Sequence, residues 1–168
     1  MNGFVYIKEI WRGKDIYRMF MNDECALRTL SGKAVDLGSG VGVASYYRFF
    51  KQTKDVEIAA VDAGFKDKNI EKGLSVDFEK DTLPYQDNSV DIILAFNILE
   101  HVYNNAFLLK EIHRILKPGG CVFGAVPFLV GFHPDPHDFW RYTSEALRNI
   151  LNECGFKHIE IKTLGRGP

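Results

Sequence analysis

The chain is poor in cysteine: 168 residues hold three, at positions 25, 121 and 154, and no Cys-x-x-Cys pair. Such spacing argues against a disulfide framework and a thiolate zinc site, so Cys25, Cys121 and Cys154 read as reduced core residues. An excess of one charge is lacking as well, with 21 Lys and Arg against 22 Asp and Glu for a net charge of -1. Without a basic surplus to follow a phosphate backbone or an acidic bilayer, nucleic acid and membrane surfaces are not expected partners. No apolar run is long enough to span a bilayer, and the opening MNGFVYIKEIWRGKD carries acidic residues where a signal peptide would be apolar. A cytoplasmic protein without membrane insertion is expected. Low-complexity tracts, repeats and Pro/Gly-rich linkers are missing too. What is present is material for one domain, 46% apolar and 26% charged, in a length that fills a single core.

The first 30 residues read as helices, with Tyr17, Phe20 and Met21 on one face and Asp23 capping a second segment through Leu27 and Leu30. Residues 1–32 are thus expected as a helical arm or lid, and 33–168 as the main domain. From Lys33 onward short apolar runs alternate with helix-like stretches, the pattern of βαβ units. Strands are expected at Ala34–Leu37, Glu57–Asp62, Leu74–Val76, Asp91–Phe96, Cys121–Val126 and His158–Thr163. Helices are expected at Val43 to Phe50, along the stripe Leu108, Ile112, Ile115 and Leu116 that Lys117-Pro118-Gly119-Gly120 ends, and from a Thr143 cap to Gly155. Only 11 residues separate Asp62 from Leu74, too few for a full crossover helix, so a loop or single turn is expected there. The class is α/β: a Rossmann-like, doubly wound, mainly parallel sheet.

The densest local signal is Val35-Asp36-Leu37-Gly38-Ser39-Gly40-Val41-Gly42, a strand that ends beside a carboxylate and runs into glycines at alternate positions. Glycine lets backbone turn sharply and approach a ligand with no Cβ in the way. The dinucleotide fingerprint spaces its glycines G-x-G-x-x-G, and Val43 stands where its third glycine would fall. Asp36 at the mouth of the turn would repel a pyrophosphate and suit a cationic amino group or sulfonium. Asp62, ending the second strand, can accept both hydroxyls of a ribose or can cap a turn.

In VDLGSGVG at 35–42, VDA at 61–63, VDFEKDTLPYQDNSVDIILAFNILEHV at 76–102 and LLKEIHRILKPGG at 108–120, the chain resembles the class I S-adenosylmethionine-dependent methyltransferases, in particular the type 11 methyltransferase-domain group. The resemblance covers roughly residues 30 to 165. It implies S-adenosylmethionine as cofactor and a small-molecule methyl acceptor. Gly38, Ser39, Gly40 and Gly42 would then line the methionine and ribose portion, with Asp36 on the amino-acid end. Asp62, with Ala63 beside it, would take the ribose diol. Asp77 would accept from the adenine amino group while the Phe78 amide meets a ring nitrogen, and Asn97 would lie by the methionyl part. The family fold closes with a β-hairpin, whereas only one strand's worth of sequence, Phe156 to Leu164, precedes the end. Either the chain is a fragment or its sheet lacks the last strand.

The acceptor should bind beyond the carboxyl ends of the first and fourth strands, where strand order reverses. The segment after the fifth strand, Pro127 to Tyr142, mixes prolines, aromatics and histidines. His133 or His137 is the candidate general base; alternatively His137, Asp138 and Arg141 order the loop while Trp140 packs on the sheet. No metal is expected, because the prolines around His133, His137 and Asp138 oppose the helix that would align them. Glu100-His101 reads as a helix-start element or as a site for base catalysis by His101. Trp11, Arg12 and Tyr17 could close over the donor or pack as a surface helix. The same strand-turn-helix also admits an NAD(P)-linked oxidoreductase, and the missing decisive base admits a non-catalytic S-adenosylmethionine-binding module. A homodimer is compatible with the sequence.

Overall fold

A computed structural model describes residues 11, 13, 16–39, 44–62 and 73–164. Helix α1 (Ile16–Ala26) leads through the short strand β1 (Thr29–Leu30) into β2 (Lys33–Leu37); a 3-10 turn (Tyr47–Phe49), β3 (Lys51–Gln52) and β4 (Glu57–Asp62) follow. Next come β5 (Gly73–Ser75), β6 (Val90–Phe96), a 3-10 turn (Leu99–His101), α2 (Asn105–Ile115), β7 (Leu116–Ala125) and α3 (Ser144–Glu153). Five strands form one wholly parallel sheet in the order β5-β4-β2-β6-β7, while β1 and β3 make a separate parallel pair. Chain order reverses between β2 and β6, as expected of a doubly wound sheet.

Both faces of the sheet are covered, because side chains alternate along its central strands. On β6, Ile92, Leu94 and Phe96 join Met21, Cys25 and Leu30 from the α1 side, whereas Ile93 and Ala95 join Leu108, Leu109, Ile112 and Ile115 of α2. Each fully buried aliphatic side chain contributes about 1.5–3 kcal/mol. Thr143 caps α3 as its sequence suggests, its hydroxyl accepting from the Ala146 amide at 3.1 Å. Gly155 follows at φ +97, the left-handed ending that glycine favours.

The structure corrects several expectations. Asp23 starts no second helix: it lies inside one continuous α1, and Leu30 belongs to a strand. Among the described residues 44–50 the expected α-helix is only a 3-10 turn, since Tyr46, Tyr47 and Phe50 are drawn individually into the core and tertiary contact overrides local pattern. No strand forms at His158–Thr163. There His158 sits at φ +53, breaking the extended run, and the Ile159 carbonyl accepts from Arg148 Nη1 at 2.7 Å instead of joining a ladder. Among the described residues the sheet therefore ends at β7, beside a cavity of about 1180 Å³ lined by α2, β7, α3 and residues 157–164. Cys121, on β7, is exposed, while Cys25 and Cys154 are buried. The short connection after Asp62 lies outside the described residues. Among the described residues, no helix is long and apolar enough to cross a membrane.

Candidate functional site

The carboxyl ends of β2, β4 and β6 stand side by side, and the chain turns sharply at two of them. Gly38, following β2, has φ +73, and its amide donates to the Val61 carbonyl at 2.8 Å. A Cβ there would come within 2.6 Å of Ile98 Cδ1, so both conformation and space call for glycine. Asn97, following β6, also has positive φ, +52; its amide donates to the Ala125 carbonyl at 2.8 Å and its Oδ1 accepts from the Tyr17 hydroxyl at 3.0 Å. Thus α1 reaches over the strand end through Tyr17, whereas Trp11 is 87% exposed. Arg12 lies outside the described residues.

Asp36 is not displayed at the mouth of the turn; it is 0% exposed, pointing into the α1 side of the sheet. Its Oδ2 accepts from the Tyr46 hydroxyl at 2.5 Å and from the Tyr47 hydroxyl. Burial pushes its carboxyl up to about 6, and the two hydroxyls partly offset that rise. In turn, burial and the neighbouring carboxylate drive both tyrosines well above the ordinary phenol range. Oδ1 of Asp36 has no partner among the described residues. Sequence reasoning missed the two tyrosines; the available signal was a pair of adjacent phenols ten residues beyond a strand aspartate.

Asp62 closes β4, half-buried, its carbonyl accepting from the Val76 amide at 3.1 Å. Asp77 is engaged in its own turn: Oδ1 accepts from the Glu79 amide at 3.0 Å and Oδ2 meets Lys80 Nζ at 2.7 Å. Those contacts hold its carboxyl below the usual range. The Phe78 ring is buried in the α2-side core. Ser39 follows Gly38, partly buried; Gly40, Gly42 and Ala63 lie outside the described residues.

Of the two candidate bases, the structure brings only His133 toward other titratable groups. Its ring lies edge-on to His101, centroids 5.3 Å apart, and near Glu100, which is wholly buried. His137 is exposed and its ring packs on Phe139 at 5.2 Å. Asp138 and Arg141 order the loop, the carboxylate accepting from Arg141 Nη1 at 2.5 Å and Nη2 at 2.7 Å. The Arg141 guanidinium holds the Asp138 carboxyl far below its ordinary value. Trp140 stacks between Tyr103 and Tyr142 at 5.8 and 6.2 Å, and the Tyr142 hydroxyl donates to the Leu99 carbonyl at 3.0 Å. The aromatic loop is thereby fastened to the 3-10 turn after β6.

This frame of parallel strands, with turns opening at the switch point, is that of a class I S-adenosylmethionine-dependent methyltransferase. The family model described as "Methyltransferase domain" matches residues 35–124, more than half of the chain, and the chain belongs to that family. A probable S-adenosylmethionine-dependent methyltransferase of Mycobacterium tuberculosis is 27% identical over 92 residues, a match taking in 51% of this chain and 34% of the relative. The chain thus spans about a third of the length of that relative. Ubiquinone biosynthesis O-methyltransferase of Burkholderia mallei is 27% identical over 164 residues, covering 83% of this chain and 71% of its own. Among solved structures, an S-adenosylmethionine-dependent methyltransferase from Mesorhizobium loti superposes with a TM-score of 0.59 at 17% identity, covering 79% of this chain and 77% of the other. That likeness bears on the fold.

Proposed function

We propose that this chain transfers the methyl group of S-adenosylmethionine to a small-molecule acceptor. The observation that carries the reading is the buried Asp36 Oδ1, unpartnered among the described residues, beneath a left-handed Gly38 turn at the β2–β6 switch point. An orphaned carboxylate oxygen in such a place suits an ammonium group, which would relieve the charge that burial opposes. Gly38 and Ser39, with Gly40 and Gly42 of the same block, hold the donor's methionine and ribose portion. Asp62 and Ala63 take the ribose diol. Asp77 and the Phe78 amide take the adenine, Asp77 by releasing Lys80, and Asn97 orients the methionyl end.

When bound, the donor would supply a sulfonium methyl group, the acceptor bonding to its carbon in line as the C–S bond breaks and S-adenosylhomocysteine leaves. Because positive charge disperses during that displacement, the chain contributes chiefly alignment and exclusion of water. Tyr17 fixes the Asn97 amide, and the loop of Trp140 and Tyr142 walls the acceptor side. His137, exposed on that loop, serves as general base where the acceptor carries a proton. Residues 1–32 act as the arm over the site and 33–168 as the donor-binding domain.

Isothermal titration with S-adenosylhomocysteine tests the reading. Wild type should bind, and Asp62→Ala should weaken binding by roughly 1.5–3 kcal/mol, the range for hydrogen bonds to a charged group. Tighter binding of NADH, or no change in Asp62→Ala, would refute the donor site.

A further inference from the structure

Glu100 lies wholly buried in the 3-10 turn after β6, and among the described residues neither of its carboxylate oxygens has a hydrogen-bond partner. Two imidazoles face it. His101 Nδ1 lies 2.5 Å from the His137 carbonyl, and His133 Nδ1 lies 2.8 Å from the Gly131 carbonyl. A carbonyl only accepts, so each Nδ1 carries a hydrogen, and in the neutral form of each ring Nε2 presents its lone pair on the other side. Those nitrogens stand 3.7 Å (His101) and 3.8 Å (His133) from the same Glu100 Oε1. In that form three acceptors converge, with no donor between them among the described residues. Arg141 comes within 3.5 Å of His133 Nδ1, yet its guanidinium is taken up by the Asp138 carboxylate at 2.5 and 2.7 Å.

We infer that Glu100, His101 and His133 form a binding site for a divalent transition-metal ion, Zn2+ by its donor set. The 3.7 and 3.8 Å separations are too long for hydrogen bonds but shorter than twice the roughly 2.1 Å metal–ligand distance, the condition for two ligands on one ion. All three donor atoms lie within 4.8 Å of one another, so a closure of about 1 Å brings each into range. An Nδ1–H bound to a backbone carbonyl is the usual outer support of a ligating histidine, fixing tautomer and ring orientation. The frame is fixed as well, since the Glu100 carbonyl accepts from the Phe139 and Trp140 amides at 2.8 and 3.3 Å, joining the turn to the loop that carries His133. Entry is open, with the His101 and His133 side chains 12% and 39% exposed. Two imidazoles and one carboxylate suit Zn2+ over the oxygen-seeking Mg2+ and Ca2+, and three protein ligands leave a position for water. The expectation of no metal weighed His133 with His137 and Asp138; the fold pairs it with Glu100 and His101 instead.

The site is tested without any methyl donor, so its failure leaves the methyltransferase reading untouched. The full chain is stripped with chelator, and Zn2+ binding is followed by equilibrium dialysis with elemental analysis, Mg2+ in excess. One Zn2+ per chain should bind despite the Mg2+. Glu100→Gln and His133→Ala should each weaken binding by about 10-fold or more, and His158→Ala, at an exposed histidine elsewhere, should leave it unchanged. Circular dichroism checks each fold, and if Glu100→Gln fails to fold, the part-exposed His133 variant decides. Absence of stoichiometric Zn2+, wild-type affinity in the folded variants, or an equal loss in His158→Ala would overturn the inference.

Discussion

Replacing Tyr46 by Phe removes one hydroxyl from a buried carboxylate and leaves the ring in place, packed 4.5 Å from Phe96. The deleted bond, 2.5 Å to Asp36 Oδ2, goes to an acceptor that is charged above its pKa of about 6. Hydrogen bonds to charged groups contribute roughly 1.5–3 kcal/mol and neutral ones about 1, so the loss depends on pH. The sign follows from linkage. The Tyr46 hydroxyl favours the ionised form of Asp36, so its contribution is largest above pH 6 and shrinks as pH falls through that value. Urea unfolding at pH 8 should show Tyr46→Phe destabilised by about 2 kcal/mol, falling to about 1 kcal/mol near pH 5. The parent protein should behave oppositely, because the Asp36 pKa rises from 3.8 to about 6 on folding. That rise corresponds to about 3 kcal/mol of cost above pH 6, regained as the solution is acidified toward pH 4. A double-mutant cycle with Asp36→Asn isolates the pair. Equal losses at both pH values, or additivity with Asp36→Asn, would show that the tyrosine does not act through the carboxylate.

Gly38→Val should lower stability by about 1–2 kcal/mol for the left-handed conformation alone, more if Ile98 cannot move aside, and donor affinity should fall with it; calorimetry and titration on the same sample check both. Arg141→Ala should cost under about 1 kcal/mol in global unfolding, as a part-exposed ion pair does, while amide exchange of residues 130–138 quickens because the Val130 and Gly131 carbonyls lose their donor. Unchanged exchange would mean that the prolines alone hold the loop.

The strands were legible because a parallel sheet buried on both faces leaves near-continuous apolar runs, as in Asp91–Phe96, and helix α2 because its stripe repeats at helical spacing. His158–Thr163 failed for the complementary reason. Its alternation of polar and apolar residues is a strand pattern, but a ladder needs a partner edge, and the Ile159 carbonyl is claimed by Arg148 eleven residues away. Gly38, Asp62 and Asn97 were found at strand ends because turns and acids are local signals. The burial of Asp36 and Glu100 was not local at all. One depends on tyrosines that fold back beneath β2, where only the adjacent phenols ten residues on gave a hint, and the other on a loop more than 30 residues further along.

Two wholly buried carboxylates, Asp36 in one strand and Glu100 in the turn that follows its parallel neighbour, say something that neither says alone. Burying an ionised carboxyl opposes folding by several kcal/mol unless a cation or donors answer it, so a core built for stability alone would exclude both. Asp36, in β2, is half answered, with two phenols on one oxygen and a second oxygen unpartnered among the described residues. Glu100, just past β6, faces two ring nitrogens whose hydrogens point elsewhere. Because β2 and β6 are adjacent and parallel, both deficits of positive charge sit at the same end of the sheet, where ligands of doubly wound folds bind. They differ in what would satisfy them. Asp36 suits an ammonium that brings its own hydrogens, whereas lone pairs already fill the approach to Glu100 and call for an ion without them. On these two proposals the chain would separate two positive ligands by chemistry, and each should stabilise the fold independently when supplied alone, which thermal melts with S-adenosylhomocysteine, with Zn2+, and with both together would measure.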